Sequence, residues 1–326
     1  MSKTTEPVFL YSLPRSGSTL LQRMLGCHPE ITTQSEYWFL LPHIMALRGE
    51  HTYAAYSANT LKVATEALLE QLPDGRSGYE AAIRSLGNSL YSQLATGGER
   101  YVLDKTPRYY LIIEDIRRIF PDAKLIFLFR NPPAVAASIV SSFHSGRMGN
   151  VRHRIDVFEG PKHLARGYNS VRESSIAVQY ERLVTDPKAE LKRICDYLDI
   201  EFVATMLEDF GSVPVVGLGD MFGSNRHKTV STSAVDRWKE VFGTPYRRRY
   251  LRKYLDYLGP ECVETMGYDF GKLRSEVEDL PVRFEIGFID WLYELRGKFM
   301  STLEIPLLRQ KIKDTRARRG KYFIHY

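Results

Sequence analysis

Val8-Phe9-Leu10-Tyr11-Ser12-Leu13-Pro14-Arg15-Ser16-Gly17-Ser18-Thr19-Leu20-Leu21 decides how this chain is read. The first six residues are mostly apolar and read as a buried strand. Pro14 to Thr19 turn the chain. Leu20, Leu21, Met24 and Leu25 then recur at helical spacing. A strand, tight loop and helix start of this kind aims free backbone N–H groups and the positive end of a helix dipole at one point, which suits a phosphate group. Gly26 fits the end of that helix, and Pro29 prevents its continuation.

Working outward, strands and helices alternate. Ser35 is the predicted cap of a helix beginning at Glu36-Tyr37-Trp38-Phe39. Residues 54–72 and 79–95 read as two helices separated by Pro73-Asp74-Gly75. Residues 101–103 read as a short strand left through Asp104-Lys105-Thr106-Pro107, and residues 109–120 as an amphipathic helix. Residues 124–129, Lys-Leu-Ile-Phe-Leu-Phe, are apolar without alternation, which predicts a central strand covered on both faces. It ends at Arg130, with Asn131 as the expected cap and Pro132 at the first position of the next helix. Residues 175–180 form a further predicted strand, and a helix starts at Asp186-Pro187. This alternation predicts a parallel α/β sheet flanked by helices. Residues 145–165 and 205–233 read as loops over the site.

The chain has 326 residues, 44% hydrophobic and 26% charged, enough for one large or two small domains. The polar N-terminus lacks the apolar run of a signal peptide, and no stretch approaches a membrane span. Three widely separated cysteines, Cys27, Cys195 and Cys262, predict a reducing, cytoplasmic setting and offer no metal-ligand spacing. The net charge of +6 is confined to the end of the chain: from Arg309 onward seven basic residues accompany one acid, Asp314, so the body before them is neutral. A neutral body does not suit nucleic acid. The basic run Arg247, Arg248, Arg249, Arg252 and Lys253 reads as a solvated helix face. Residues 282–300 place Phe284, Phe288, Trp291, Leu292, Leu295 and Phe299 on one helical face.

The opening loop lacks the lysine of a Walker A motif. The strand at 124–129 ends in Arg130, where a metal-binding NTPase needs an aspartate. An arginine there repels a metal and attracts a second anion. Ser138 follows two helical turns later. A ligand with a phosphate-like group at each end explains both halves.

These residues resemble the sulfotransferases that use 3′-phosphoadenosine 5′-phosphosulfate (PAPS). Pro14-Arg15-Ser16-Gly17-Ser18-Thr19 is similar to their 5′-phosphosulfate loop, and Arg130 with Ser138 to their 3′-phosphate motif. The segment Val178 to Pro187, which includes Tyr180, resembles a further recurrent stretch, and Gly267-Tyr268-Asp269 the end of the domain. The resemblance covers residues 7–270. It implies a P-loop-NTPase-like sulfotransferase fold over residues 1–270, followed at 271–326 by an amphipathic helix and a basic tail. It implies PAPS as co-substrate, held by Arg15, Ser16, Gly17, Ser18, Thr19, Arg130, Ser138 and Tyr180, with no metal. Ser224-Asn225-Arg226-His227-Lys228 resembles the segment that closes over the 3′ side of the nucleotide, and so adds Arg226 and Lys228.

For catalysis, the resemblance assigns Arg15 to the leaving bridge and Lys105 to the transferring group. Cytosolic relatives carry a histidine two residues after that lysine; here the position is Pro107. A base is still needed. Glu36 is the candidate, as in tyrosylprotein sulfotransferases and bacterial biosynthetic sulfotransferases, with Glu30 second. The plain alternative for Glu36 is an acid at a helix N-terminus, held by the dipole alone. His28 is expected to cap a helix end. The expected acceptor is a hydroxyl on a carbohydrate or other biosynthetic product, or else a peptide tyrosine. The competing readings are a metal-dependent P-loop kinase or NTPase, and a nucleotide-binding protein without catalysis. The aromatic helix and basic tail are expected to dock on the domain or a second subunit; the alternative is a peripheral seat on an anionic membrane.

Overall fold

The opening stretch forms the middle of the molecule. In the computed structural model, β1 (Glu6–Ser12) is followed by α1 (Ser18–Leu25), β2 (Ile31–Thr32) and three helices, α2 (Leu40–Arg48), α3 (Ala58–Gln71) and α4 (Gly75–Leu94). Next come β3 (Tyr101–Asp104), α5 (Ile113–Ile119), β4 (Lys124–Phe129), α6 (Pro132–Phe143), α7 (Gly160–Val171) and β5 (Ser175–Gln179). The remainder is helical: α8 (Tyr180–Thr185), α9 (Pro187–Leu198), α10 (Thr205–Glu208), α11 (Arg237–Val241), α12 (Pro245–Thr265), α13 (Phe270–Glu278) and α14 (Gly287–Thr302). The structure describes residues 5–34, 36–48, 58–143, 146–148, 153–213, 230–281 and 287–303, with 305 and 308.

The five strands pair in parallel in the order β2-β3-β1-β4-β5. β1 is therefore the central strand, with β4 its inner neighbour. Successive side chains of β1 go to opposite faces. Phe9 and Tyr11 join the core under α4 to α7 and α12. Val8 and Leu10 join the core under α1, α8 and α9. Helices on both faces leave the carboxyl ends of the strands as the open edge. The chain leaves β1 toward β2 and leaves β4 toward β5, in opposite directions across the sheet. A crevice opens at such a switch point, between the ends of β1 and β4.

Several expectations are corrected. β2 has two residues, too short for a periodic signal, and was not expected. The helix expected from Glu36 starts at Leu40, so Glu36 does not sit in a helical first turn; its expected cap, Ser35, lies outside the described residues. Residues 145–165 are not all loop: a π-turn at Ile155–Glu159 runs into α7. Pro161 lies in the first turn of α7, where a missing N–H does no harm. Gly167 lets the helix approach α5, since a Cβ there would stand 2.4 Å from Ile113 Cδ1. The helix expected over 109–120 is a 3-10 turn, Pro107–Leu111, then α5. The one expected over 245–258 continues to Thr265 through a break at Gly259. The basic run on α12 is not simply solvated: Arg247 pairs with Asp290 at 2.6 Å, and Arg248 donates to the Glu278 and Leu280 carbonyls.

One buried carboxylate fixes the end of β3. Asp104 is fully buried; its Oδ2 accepts from Tyr91 at 2.7 Å and Tyr109 at 3.2 Å, and its Oδ1 from Thr106 at 3.1 Å. Burial pushes its carboxyl up from 3.8 to about 6, against the downward pull of Tyr91, Thr106, Tyr109 and Lys105. With the folded value above the unfolded one, the native state binds more protons between these limits. This group's contribution is therefore most favourable at low pH and is lost as pH rises from about 4 to about 6. Asp104→Asn is expected to flatten that part of the stability profile. Urea midpoints at closely spaced pH values check this; parallel profiles for the two proteins would contradict it.

Candidate functional site

The turn after β1 is held by its own backbone. Ser16 N donates to Leu13 O at 3.2 Å, and Arg15 takes a left-handed φ of 69°. A non-glycine residue in that region is strained and persists where its surroundings hold it. Gly17 follows at φ 90° and precedes α1. A Cβ on Gly17 would stand 2.4 Å from Tyr180 Cδ2, so both its conformation and the close ring require glycine. α1 has no acid in its first turn and no side-chain cap. Its first N–H groups, including those of Ser18 and Thr19, have no intrahelical acceptor. Ser16 Oγ is buried and has no hydrogen-bond partner among the described residues.

The second half of the site comes from β4 and β5. The register pairs Ser12 with Leu128 and Phe129 with Gln179, which brings Arg130 and Tyr180 together at the strand ends. Arg130 is 7% exposed. It donates to Arg15 O at 2.8 Å and to Ala234 O at 2.8 Å, while its Nε has no partner. Its guanidinium carbon lies 4.3 Å from the centroid of the Tyr180 ring. Among the described residues no carboxylate pairs with it. Glu181 is occupied elsewhere, accepting from Asn131 N at 3.1 Å and Tyr268 OH at 2.6 Å. Burial pulls the Arg130 guanidinium below its ordinary value. Ser138, on α6, accepts from Arg15 Nε at 3.3 Å, so the two motifs meet. Asn131 precedes α6 as expected, but its Oδ1 is buried without a partner and does not cap the helix.

The third group lies at the end of β3. After β2, Thr33 Oγ1 donates to Leu103 O at 2.9 Å and carries the chain across the strand end. Lys105, 1% exposed, then pairs with Glu36 Oε1 at 2.7 Å. Glu36 Oε2 accepts from Trp38 Nε1 at 3.0 Å. Trp38 N in turn donates to Thr106 Oγ1 at 3.2 Å, which links Glu36 to the Asp104 network. Trp38 is a residue that sequence reasoning missed. Its aromatic neighbours in Tyr37-Trp38-Phe39 imitate a helix core, while the chain there turns sharply, with Trp38 at φ 59°.

Glu30 is placed at the far edge of the sheet. Its carbonyl accepts from Tyr101 N at 2.9 Å, at the start of β3, whereas Lys105 follows the end of that strand. His28 meets the end of α1 through its backbone N–H, which donates to Leu25 O at 3.0 Å, while its ring is engaged elsewhere. It is 3% exposed, accepts from Glu30 N at Nδ1 and contacts Glu201 O through Nε2 at 2.7 Å. Ser224, Arg226 and Lys228 lie outside the described residues. Phe143 and His153 were also missed: their rings stack at 4.3 Å, and the Arg15 guanidinium carbon is 5.9 Å from the Phe143 centroid.

Known proteins similar to this chain fall in one family. The profile of the Sulfotransferase family matches residues 7–204. Nodulation protein NoeE of Sinorhizobium fredii is 29% identical over 82% of this chain and 68% of its own length. A putative protein-tyrosine sulfotransferase of Caenorhabditis elegans is 30% identical over 76% of this chain and 91% of its own. The solved sulfotransferase domain from the curacin biosynthetic pathway superimposes with a TM-score of 0.48 at 24% identity, covering 78% of this chain and 99% of that domain. With its loop, Arg130 and Ser138 assembled at one switch point and the family profile spanning all three, the chain belongs to the sulfotransferase family.

Proposed function

We propose that residues 1–270 move the sulfuryl group of PAPS to an acceptor hydroxyl on a carbohydrate or other biosynthetic product. The observation that carries this is Arg130: a buried cation whose described hydrogen bonds go to carbonyl oxygens and whose Nε is unpartnered. Burying a cation without an anionic partner is costly, and a 3′ phosphate offsets that cost. Ser138 completes the 3′ end and Tyr180 walls it. Arg226 and Lys228 join it on the sequence resemblance. The N–H groups of residues 15 and 17–19 and the Ser16, Ser18 and Thr19 hydroxyls hold the 5′ phosphosulfate, while the Ser16 N–H closes the turn onto Leu13 O. The unpartnered Ser16 Oγ is what such a cradle requires.

Glu36 takes the acceptor proton as the acceptor oxygen bonds to sulfur. The bond from sulfur to the bridging oxygen breaks in the same in-line step, and 3′-phosphoadenosine 5′-phosphate leaves with that oxygen. Arg15 offsets the charge gathering on the bridge. Lys105, 2.7 Å from Glu36, exchanges the carboxylate for the sulfuryl oxygens when the donor is in place. Trp38 keeps Glu36 aimed meanwhile. Little covalent work falls to the protein; positioning and charge stabilisation supply the rate.

A second acceptor, tyrosine in a peptide, is favoured by the 30% identity to a putative protein-tyrosine sulfotransferase. Labelled PAPS with a panel of glycans, small hydroxyl compounds and tyrosine peptides separates the two; transfer to none of them would overturn both.

Glu36→Gln is expected to keep nucleotide affinity and lower kcat by about 10² or more, the scale of general-base loss. Near-wild-type turnover would remove Glu36 from the reaction. Arg130→Ala is expected to weaken the 3′-phosphorylated nucleotide far more than its 3′-dephosphorylated analogue, read by calorimetry. Equal losses would remove Arg130 from the 3′ end.

A further inference from the structure

The aromatic face of α14 is expected against the domain or a second subunit; α14 does meet the domain, but by the side that carries Asp290. Asp290, 5% exposed, receives both Nε and an Nη of Arg247, at 2.6 and 3.0 Å, and the Met148 N–H at 3.2 Å. Arg247 also donates to Gly146 O at 2.7 Å, and Arg147 lies over the Tyr293 ring at 4.9 Å. These contacts pin α14 to α12 and to residues 146–148, which follow α6, the helix that carries Ser138. Trp291, Leu292, Leu295 and Phe299 lie on the opposite side, exposed by 46, 43, 51 and 61%. At 3.6 residues per turn these four fall within about a third of the helix circumference. Phe284 lies outside the described residues, and nothing is described of the Phe288 side chain.

We propose that this face seats the protein on an anionic lipid surface. Asp290 and Tyr293 are engaged by the domain, while Trp291, Leu292, Leu295 and Phe299 remain partly exposed on the other side. The segment that follows, from Arg309 onward, carries seven basic residues against one acid, while the rest of the chain is neutral. Apolar area together with adjacent cations is what an anionic interface binds. A net charge of +6 in that segment matches an anionic surface, whereas a second copy of this chain offers a neutral body. Among the described residues no helix is long and apolar enough to cross a membrane, so the contact is peripheral. The inference stands apart from the donor and base assigned above.

Co-sedimentation of the full chain with vesicles tests it, using phosphatidylcholine alone and an equal mixture with phosphatidylglycerol. The mixed vesicles are expected to pellet the protein, with binding weakened by salt. Trp291→Ser/Phe299→Ser and, separately, Arg316→Ser/Arg318→Ser/Arg319→Ser are each expected to lower the partition about tenfold or more. Brominated lipid is expected to quench the fluorescence of the full chain and to lose that effect in Trp291→Phe. Equal pelleting of the full chain and the Trp291/Phe299 variant overturns the proposal. So does a dimer in sedimentation equilibrium that this variant dissociates while neither protein pellets.

Discussion

The hydrogen bond from Arg130 to the Arg15 carbonyl holds the site together. It ties the end of β4 to the loop after β1 at 2.8 Å, across 115 residues of sequence. It also fixes the carbonyl of a residue in left-handed conformation, so the strained loop is held from outside. Tyr180 covers the guanidinium on one side and presses on Gly17. The three contacts form one unit. A larger residue at 17 displaces the ring, a displaced ring uncovers Arg130, and a displaced Arg130 releases the loop. A neutral side chain at 130 would be easier to bury. The cation is retained where an anion can meet it.

A second chain of contacts runs from the core to Glu36 and Lys105. Asp104 accepts from Thr106, Thr106 receives the Trp38 N–H, and the Trp38 indole holds one oxygen of Glu36, whose other oxygen meets Lys105. The links join the end of β3 to the segment that leads into α2. The two chains share no residue, and each lies beyond the carboxyl end of its own strand, Arg130 after β4 and Lys105 after β3. The loop proposed to hold the donor and the carboxylate proposed to face the acceptor thus follow separate strands of one sheet.

Much of this was legible in the sequence because the signals are local. The strand, loop and helix around Gly17 are read from fourteen consecutive residues, and Arg130 with Ser138 from nine. Glu36 was legible as a candidate, but not its setting: Tyr37-Trp38-Phe39 carries the apolar density of a helix, and only tertiary hydrogen bonds reveal the turn at Trp38. α7 was missed because Gly160, Pro161 and Gly167 punctuate it like a loop. In the fold, Pro161 begins the helix and Gly167 admits Ile113. The face of α14 shows the remaining limit. Periodicity places the aromatic residues on one side of a helix, but it cannot say which side meets the domain. Asp290 and Arg247, forty-three residues apart, decide that.

The most direct test of the two-ended site is calorimetric selectivity of the wild-type protein in the absence of divalent metal. 3′-Phosphoadenosine 5′-phosphate should bind about 10²-fold more tightly than adenosine 5′-phosphate, the scale of one or two charge-assisted hydrogen bonds to the 3′ phosphate. Equal affinity for the two, or tighter binding of ATP with Mg²⁺ than of either, would contradict the assignment of Arg130 and Ser138 to a second anionic end.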